Sequence, residues 1–430
     1  MKCLPSLRTF LTLSVISIGS VFIVGACADN TYFASDGGAD KGITPDAYGV
    51  VPDLYVNPCA PDPAPTVSGK VFAPNGTDPI AGALVFVPNE LPPLPKEVRC
   101  ASWCTVVGSS GSQTYANADG SFELAGVPNG KFQLVIQKGY FRRVLDLEMP
   151  HCGTLALEKA ATTLPAKNGH YGPLDTIPNI GVVTGAWDKL EKVLQKIGVE
   201  EMTIYNGKDL GSGPQSMQSL LQNSALMRSH HLLFINCGTK FEGLVTEAGA
   251  ARNVLFDYVK QGGRLFVTDY SYDFIEQTFP SFVDFVSSDQ TAVDQAETHN
   301  AAEKGADNLK VKAEILDTSM KSWLGLPEID ALLDDGRIEI EGFETGWAVQ
   351  QSLNGALPTK SWVEANVSWV GGSGKRSLTS SYSVADTDGT GCGHVYFSSY
   401  HTWGDGEELL PQERILEYLM LEMGSCRDPI

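Results

Sequence analysis

The sequence predicts a multidomain protein in which an antiparallel β-sandwich precedes a carboxyl-terminal α/β domain with a mostly parallel sheet. Two observations predict this order. Short alternating segments separated by Asp-Gly and Asn-Gly turns occupy residues 66–152. Apolar segments that alternate with amphipathic helical segments begin near residue 179. The length of 430 residues, with 43% hydrophobic residues, is sufficient for two or three cores.

Residues 1–26 have the composition of a secretory signal peptide. Lys2 and Arg8 precede an apolar segment over residues 9–24, which is too short and too poorly flanked for a membrane-spanning helix. The sequence Val24-Gly25-Ala26-Cys27 resembles the bacterial lipobox, in which the signal is cut before a cysteine that carries lipid. We therefore expect lipidation of Cys27; an ordinary signal peptide beside an incidental cysteine is the alternative.

A lipidated Cys27 would hold the rest of the chain outside the cytoplasm on a membrane anchor. Ala28 directly after it favours sorting to the outer membrane, by resemblance to other lipoproteins. Residues 27–65 are rich in Asp, Gly, Pro and Ala and have no hydrophobic period, so we expect a spacer. The net charge of −20 argues against a nucleic-acid partner. The expected partners are the membrane, through the anchor, and an envelope protein or glycan.

Residues 66–152 are the predicted sandwich. Asp119-Gly120 and Asn129-Gly130 each separate two strand-like segments, which is a strong hairpin signal. The segments around these turns, "GKV", "ALV", "ADGSF" and "VPNG", resemble the carboxypeptidase regulatory-like domain, a transthyretin-like sandwich. The resemblance implies a non-catalytic module. A calcium loop at Asp119 would need more carboxylates at fixed spacing, so a hairpin turn is favoured there.

Nine cysteines in a chain predicted to be exported make disulfides the expected state. We expect a local disulfide between Cys100 and Cys104, with zinc as a weaker alternative because no second ligand pair follows. Cys59 and Cys152 flank the sandwich and are the natural second pair, although sequence alone does not fix connectivity.

A third disulfide is predicted at the carboxyl terminus. Cys392 enters the last predicted strand and Cys426 follows the last predicted helix. The strand spans about 26 Å and the helix about 21 Å, so the helix should return the chain to the start of the strand. We therefore predict a Cys392–Cys426 disulfide and a free Cys237.

Residues 153–178 are a predicted connector, and residues 179–430 are the predicted α/β domain. Apolar segments such as "HLLFINCG" and "RLFVTDY" alternate with helical patterns, which indicates a parallel sheet covered on both faces. Residues from about 281 to 390 form an insertion that we expect to decorate the edge of the binding crevice.

This domain resembles the class I glutamine amidotransferase-like fold, a flavodoxin-like architecture, in its divergent extracytoplasmic branch. The segments with the resemblance are "LLFINCG", "VKQGGRLFVTDY" and "GHVYFSSYHTWGDGEELLPQERILEYLM". Together with the sandwich, most of the mature chain resembles a group of uncharacterised lipoproteins of Gram-negative bacteria.

Active amidotransferases place a cysteine on a glycine-framed turn between a strand and a helix, and a histidine after a late strand. Here Cys237 has no glycine two residues to either side of it. It also follows the strand that comes before the one to which the family attaches its cysteine. Asp269 occupies the matching turn, where a carboxylate is either a base or nucleophile or a helix cap. His401 matches the histidine of the family, and Asp405 or Glu407 is a candidate to orient it.

Two classes of function remain, and both use the carboxyl edge of the sheet. The favoured class is a lipid-anchored binding or scaffolding protein with a degenerate, non-catalytic amidotransferase-like domain. The alternative is an exported hydrolase of an amide or glycan bond that acts through Cys237, Asp269, His401 and Asp405. We expect no cofactor and no metal site, because no group of ligand residues has metal-site spacing.

Two further groups of residues have a structural and a functional interpretation. His230 and His231 precede a buried strand, and we expect them to flank it rather than to bind metal. An aromatic group near the carboxyl terminus could stack on sugar rings, but packing is the favoured role. Its members are Tyr396, Tyr400, Trp403 and Tyr418.

Overall fold

The computed structural model describes residue 59 and residues 64–100, 110–150, 152–209, 213–246, 249–287, 295–296, 298–307, 309–343, 346–385 and 391–423. Cys27, Cys104 and Cys426 lie outside these residues, as do the predicted signal peptide and nearly all of the predicted spacer. The described residues all belong to one compact unit, which extends from Tyr55 to Ile430.

The amino-terminal part of this unit consists of β-strands. They are β1 (Thr66–Lys70), β2 (Leu84–Pro88), β3 (Ser110–Tyr115), β4 (Ser121–Ala125), β5 (Gly130–Lys138), β6 (Phe141–Met149) and β7 (Thr154–Ala156). They form a three-stranded sheet of order β4-β1-β7 and a four-stranded sheet of order β3-β2-β5-β6. Gly120, with φ of 80°, directly precedes β4, and Gly130, with φ of 79°, is the first residue of β5. The prediction that these two turns close hairpins is wrong, because β4 lies in the first sheet and β3 and β5 lie in the second, so each turn takes the chain from one sheet to the other.

Buried side chains of both sheets belong to one hydrophobic core, among them Val67 and Leu124 from the first sheet and Val85 and Leu134 from the second. This two-sheet arrangement agrees with the alternating pattern of the sequence. The pairing also differs from the expectation at β7, which lies parallel to β1, although all other pairs in these sheets are antiparallel. The connector 153–178 therefore supplies a strand.

The remaining strands are β8 (Ile180–Thr184), β9 (Thr203–Asn206), β10 (Leu232–Ile235), β11 (Arg264–Thr268), β12 (Val283–Phe285), β13 (Leu309–Ile315), β14 (Arg337–Phe343), β15 (Gln350–Leu353), β16 (Thr359–Trp369), β17 (Gly372–Ala385) and β18 (Gly391–Ser398). The helices are α1 (Lys159–Thr162), α2 (Leu190–Lys196), α3 (Met217–Leu221), α4 (Ser224–Arg228), α5 (Ala250–Lys260), α6 (Asp273–Glu276), α7 (Thr318–Leu324) and α8 (Pro411–Met423). Among the helices described, none is both long enough and apolar enough to cross a bilayer.

Nine of these strands form one mixed sheet of order β14-β13-β16-β17-β18-β11-β10-β8-β9. The four pairs from β9 to β18 are parallel, and the four pairs from β18 to β14 are antiparallel. The prediction of a mostly parallel sheet is therefore wrong. The insertion does not only decorate the crevice, because its strand β17 pairs with β18 and its strands β17, β16, β13 and β14 widen the sheet from five strands to nine.

The strand and helix patterns explain the parallel half. Every side chain of β10 is buried, as expected for a strand covered on both faces. Helix α5 buries Leu255, Tyr258 and Val259 on one face and ends before Gly262, whose φ is 107°. The short elements thus follow from hydrophobic period and glycine placement.

The sandwich and the mixed sheet are in direct contact. The indole N–H of Trp323 donates to the carbonyl of Pro79 at 2.7 Å, and Arg414 contacts the carboxylate of Asp78 at 2.5 Å. One hydrophobic core contains buried residues of both parts. The connector is packed as well, since Leu164 is fully buried and bonds to Phe72 through its backbone N–H.

The described residues contain two disulfides, Cys59–Cys152 and Cys100–Cys392, with Cα separations of 5.6 and 5.2 Å. The first is the pair that flanks the sandwich in the sequence. The second replaces both the Cys100–Cys104 and the Cys392–Cys426 pairings, which were wrong. Cys237 is free and buried.

The segment that contains Cys100 explains this difference, because it lies against the amino-terminal edge of the mixed sheet. The N–H of Val98 donates to Arg228 O, and a Cβ on Gly262 would lie 2.6 Å from Arg99 O. Helix α8 does return to the start of β18, since Arg264 contacts the carbonyls of both Met423 and Cys392. The length argument was sound, but Cys100 is the cysteine that lies beside Cys392.

Candidate functional site

Four ionisable side chains meet at the carboxyl edge of the parallel half of the mixed sheet. Asp188 follows the turn after β8, and Cys237 follows β10 by two residues. Asp269 comes directly after β11, and His401 follows β18 by three residues. Because these strands are parallel neighbours, their carboxyl ends meet at one edge. All four side chains are buried, with at most 2% of each residue exposed.

Asp269 has the backbone of a sharp turn between a strand and a helix. Its φ is 44°, in the left-handed region that is uncommon for residues other than glycine. A 3₁₀ turn over Asp269–Ser271 follows, and α6 begins at Asp273. This position corresponds to the turn at which the amidotransferase resemblance places the nucleophile.

Both carboxylate oxygens of Asp269 are engaged. Oδ2 lies 2.6 Å from Nε2 of His401 and accepts from the thiol of Cys237 at 3.3 Å. Oδ1 accepts from the backbone N–H of Ala348 at 2.7 Å. The structure therefore brings Cys237, Asp269 and His401 together, as three of the four candidate residues from the sequence.

Asp188 is the fourth member of this group, and sequence reasoning did not identify it. Its Oδ1 accepts from the N–H of Thr402 at 2.7 Å. Its Oδ2 accepts from the N–H of Cys237 at 3.3 Å and from the hydroxyl of Thr268. A signal was present in Gly185, where a Cβ would lie 1.9 Å from Cys237 O. A glycine at that point lets the turn that bears Asp188 approach the end of β10.

Burial controls the ionisation of this cluster, which we define as Asp188, Cys237, Asp269 and His401. Burial raises the pKa of Asp188, and the charge of His401 and the bond from Thr268 oppose that rise. Burial also raises the pKa of the Cys237 thiol well above its usual value, and the neighbouring Asp269 and Asp188 add to the effect. Cys237 is therefore a thiol at neutral pH and not a reactive thiolate.

The insertion covers this cluster. Besides the bond from Ala348, the N–H of His401 donates to Gly342 O at 2.8 Å. Gly342 has φ of 96°, and a Cβ there would lie 2.7 Å from His401 O. The close approach therefore requires glycine, and it holds the end of β14 directly against His401.

Asp405 does not orient His401, and that hypothesis is wrong. The side chain of Asp405 is 76% exposed and pairs with Lys189 at 3.4 Å. The glycines at 404 and 406 have positive φ, and the loop between them turns Asp405 outward. His401 contacts Asp269 instead.

The other residues that the sequence singled out, two histidines and a group of tyrosines, are buried and packed against neighbouring side chains. His230 Nε2 lies 2.8 Å from the hydroxyl of Tyr205, and His231 stacks on Tyr140 with a centroid separation of 3.8 Å. Burial lowers the pKa of each histidine to about 4, so both are neutral. Tyr396, Tyr400 and Tyr418 are buried, so these three rings offer no surface to a sugar.

All four members of the cluster have residue types that bind metals, and three of them present donor atoms close to one another. Asp188, Cys237 and His401 each present one ligand atom, and these atoms all lie within 4.8 Å of one another. A separate cleft of about 490 Å³ borders the outer strand β9. Its lining residues are Thr184, Met202, Thr203, Ile204, Asn206 and Gln215.

No family model and no curated protein matches the chain. Among solved structures, one match is a protein of Thermoplasma acidophilum that is provisionally described as a component of GMP synthase. It has a TM-score of 0.33 and 11% identity, over 57% of this chain and 94% of that protein. A mutant cohesin–X-dockerin complex of Acetivibrio cellulolyticus matches with a TM-score of 0.19 and 16% identity, over 32% of this chain and 87% of that one. These low TM-scores assign neither a fold nor a function to the chain.

Proposed function

We propose that the chain is an exported, lipid-anchored binding or scaffolding protein of the cell envelope, and that its amidotransferase-like domain is not catalytic. The observation that supports this proposal best is the state of Asp269. The residue at the turn where a nucleophile would stand has both carboxylate oxygens engaged and is 1% exposed. A nucleophile or general base needs a free lone pair within reach of its substrate.

The neighbouring thiol supports the same conclusion. Cys237 donates its proton to Asp269, and its pKa is raised rather than lowered. Catalytic cysteines need the opposite environment, in which a nearby positive charge stabilises the thiolate. Neither candidate nucleophile is therefore in an activated state.

Binding would then use surfaces away from the cluster. A cleft of about 490 Å³ lies beside β9, and β9 is the outer strand of the parallel half. The carboxypeptidase regulatory-like resemblance adds a second non-catalytic module, and the lipobox resemblance at Cys27 adds the anchor. The membrane attachment is tested by Cys27→Ala, which should move the protein into the soluble fraction or leave its signal uncleaved. Unchanged membrane association with normal processing would contradict the anchor.

A hydrolase remains the second candidate because of one specific observation. Asp269 combines the left-handed backbone of a strained turn with a histidine nitrogen 2.6 Å from its carboxylate. Such backbone strain is concentrated at functional sites, and a carboxylate beside a histidine is capable of covalent catalysis. An opening of the insertion would be needed to admit a substrate.

One experiment separates the two candidates. The purified protein is assayed against a panel of amide, ester and glycan substrates, with Asp269→Asn as the test variant and Asp405→Asn as the matched surface control. The binding proposal predicts no turnover by any of the three proteins. Turnover that Asp269→Asn abolishes and Asp405→Asn retains would contradict it. Incorporation of ¹⁸O from labelled water into Asp269 during turnover would then identify the covalent step.

A further inference from the structure

We propose that Asp188, Cys237, Asp269 and His401 form a closed structural site for one zinc ion. This inference goes beyond the proposed function and does not depend on it, since a structural ion is compatible with binding and with catalysis elsewhere. The four residues come from four different strand ends. They are separated by 49, 32 and 132 residues, so their spacing resembles no metal motif.

The first argument is the convergence of donor atoms. One ligand atom each from Asp188, Cys237 and His401 lies within 4.8 Å of the other two. Oδ2 of Asp269 lies 3.3 Å from the sulfur of Cys237 and 2.6 Å from Nε2 of His401. In a tetrahedral zinc site the ligand atoms are about 3.4 Å apart, as follows from zinc–ligand distances of about 2.0–2.3 Å. The Cys237–Asp269 separation already matches this spacing, the Asp269–His401 pair would have to move apart, and the ligand atoms of Asp188, Cys237 and His401 would have to reach it from separations within 4.8 Å.

The second argument is the donor set itself. Thiolate, imidazole and carboxylate are all zinc ligands, and a set that mixes soft sulfur with nitrogen and oxygen favours zinc over magnesium or calcium. Four protein ligands leave no open position for water or substrate, and that closure is typical of structural rather than catalytic sites.

The third argument is the layer of hydrogen bonds around the donors. Thr402 and Thr268 donate to Asp188, and Ala348 donates to Asp269. These donors are not members of the proposed ligand set, so they would orient the carboxylates without competing for the ion. Outer hydrogen bonds of this kind fix the ligands of metal sites and are nearly as important as the ligands.

Binding of the zinc ion would release protons from its ligands. The thiol of Cys237 must lose its proton to become a thiolate, and the imidazole of His401 must be neutral. The carboxylates bind in their charged form. The thiol proton, together with the imidazole proton when His401 is charged, passes to solvent, so the affinity falls as the pH falls. Since the cluster is buried, the ion would enter while the chain folds.

The test uses full-length protein produced in medium supplemented with zinc or with cobalt and then washed with chelator. Metal is counted by elemental analysis, and the cobalt form is examined for a thiolate-to-cobalt absorption band. We expect about one ion per chain and a visible thiolate band. Cys237→Ser should remove the band, and His401→Gln should lower the metal content by at least roughly tenfold.

The matched control is His394→Gln, which replaces a buried histidine within β18 that bonds Ser383 and lies near the opposite end of that strand. It should retain the ion. A wild-type protein that folds without metal under both conditions would overturn the proposal, as would metal retained by both test variants. If the variants do not fold, the cobalt spectrum of the wild type tests the proposal by itself. A cobalt-loaded protein without a thiolate band would exclude Cys237 as a ligand. None of these outcomes alters the proposed binding role.

Discussion

The two edges of the parallel strands are fixed by different chemistry. Strands β10, β11 and β18 each have one residue at the amino end and one at the carboxyl end that make the contacts compared below. At the amino edge these residues are His231, Arg264 and Cys392; at the carboxyl edge they are Cys237, Asp269 and His401.

The amino edge is held by a disulfide and by bonds to backbone carbonyls. Cys392 is bonded to Cys100, and Arg264 donates to the carbonyls of Gly262 and Met423, each at 2.7 Å. His231 is neutral and contacts Pro95 O at 3.0 Å. This edge is where the segment from the sandwich is attached.

The carboxyl edge is held by ionisable side chains that bond to one another. Asp188 and Asp269 accept bonds from the thiol and N–H of Cys237 and from the N–H groups of Ala348 and Thr402, and His401 contacts Asp269. One sheet therefore combines an edge held by a disulfide and by bonds to backbone carbonyls with an edge held by a cluster of four ionisable side chains. The two edges should therefore respond differently to mutation and to pH.

The largest effect is expected from removal of a carboxylate at the carboxyl edge. Asp188→Ala leaves the N–H of Thr402 without its acceptor and removes one of two acceptors from the N–H of Cys237 and from the hydroxyl of Thr268. We expect a loss of about 3–5 kcal/mol in the free energy of unfolding, measured in urea without reductant. A loss below about 1 kcal/mol would show that these bonds are replaced by water.

The next effect concerns the covalent bond at the amino edge. Cys100 and Cys392 are 292 residues apart, so their disulfide restricts the unfolded chain strongly. The double variant Cys100→Ser with Cys392→Ser should lose about 2–4 kcal/mol, again by urea unfolding. The double variant Cys59→Ser with Cys152→Ser is the control, because its separation of 93 residues predicts a smaller loss. Equal unfolding free energies of the wild type and the first variant would show that the Cys100–Cys392 disulfide does not stabilise the amino edge.

At the carboxyl end of β11, protonation of Asp273 should stabilise the fold. Burial raises the pKa of Asp273 to about 7. Because its folded pKa lies above the unfolded value, its contribution is present at acidic pH and is lost as the pH rises towards 7. Asp273→Asn should therefore unfold at higher denaturant than the wild type at about pH 8, by on the order of 1–3 kcal/mol. The difference should shrink near about pH 4, and a constant difference would exclude a titration effect.

At the amino edge, the pH dependence should have the opposite sign. Burial lowers the pKa of His394 to about 3. Its folded pKa lies below the unfolded value, so its contribution is present above the unfolded pKa of about 6.5 and is lost on acidification. The variant His394→Gln should lose less stability than the wild type between about pH 7 and pH 4, by about 1–2 kcal/mol. A larger loss in the variant would contradict a neutral histidine.

The smallest effect is expected at the surface. Asp405→Ala removes an ion pair in which Lys189 and Asp405 are 44% and 76% exposed. The change in unfolding free energy should be about 0–0.5 kcal/mol. A loss comparable to that of Asp188→Ala would mean that Asp405 acts on the cluster after all.

Part of the cluster at the carboxyl edge could be predicted from the sequence, because the pattern of apolar residues shows where each strand ends. Cys237, Asp269 and His401 each follow an apolar segment, so their meeting at one edge could be expected. Asp188 could not be found in this way, because its role depends on backbone N–H groups of Cys237 and Thr402 that only the folded chain brings close.

The fold was predictable to a similar extent. The sequence located the insertion at about 281–390, but a strand pattern does not tell whether the strand extends a sheet or lies on its edge. The disulfide partner of Cys100 depended on where the segment before it docks, and that docking is set by Val98 and Gly262 at a distance in sequence. Local patterns predicted elements, and long-range contacts decided how they were joined.

The position of β18 has a consequence for how the chain must fold. This strand lies between β11 and β17, in the middle of the sheet, although it is made after both of them. Until residues 391–398 have been synthesised, β11 has an unpaired edge, and unpaired edges promote aggregation. Contacts between residues far apart in sequence also form slowly, because the intervening chain must first be ordered. The chain should therefore fold late and depend on protection of β11 during its synthesis.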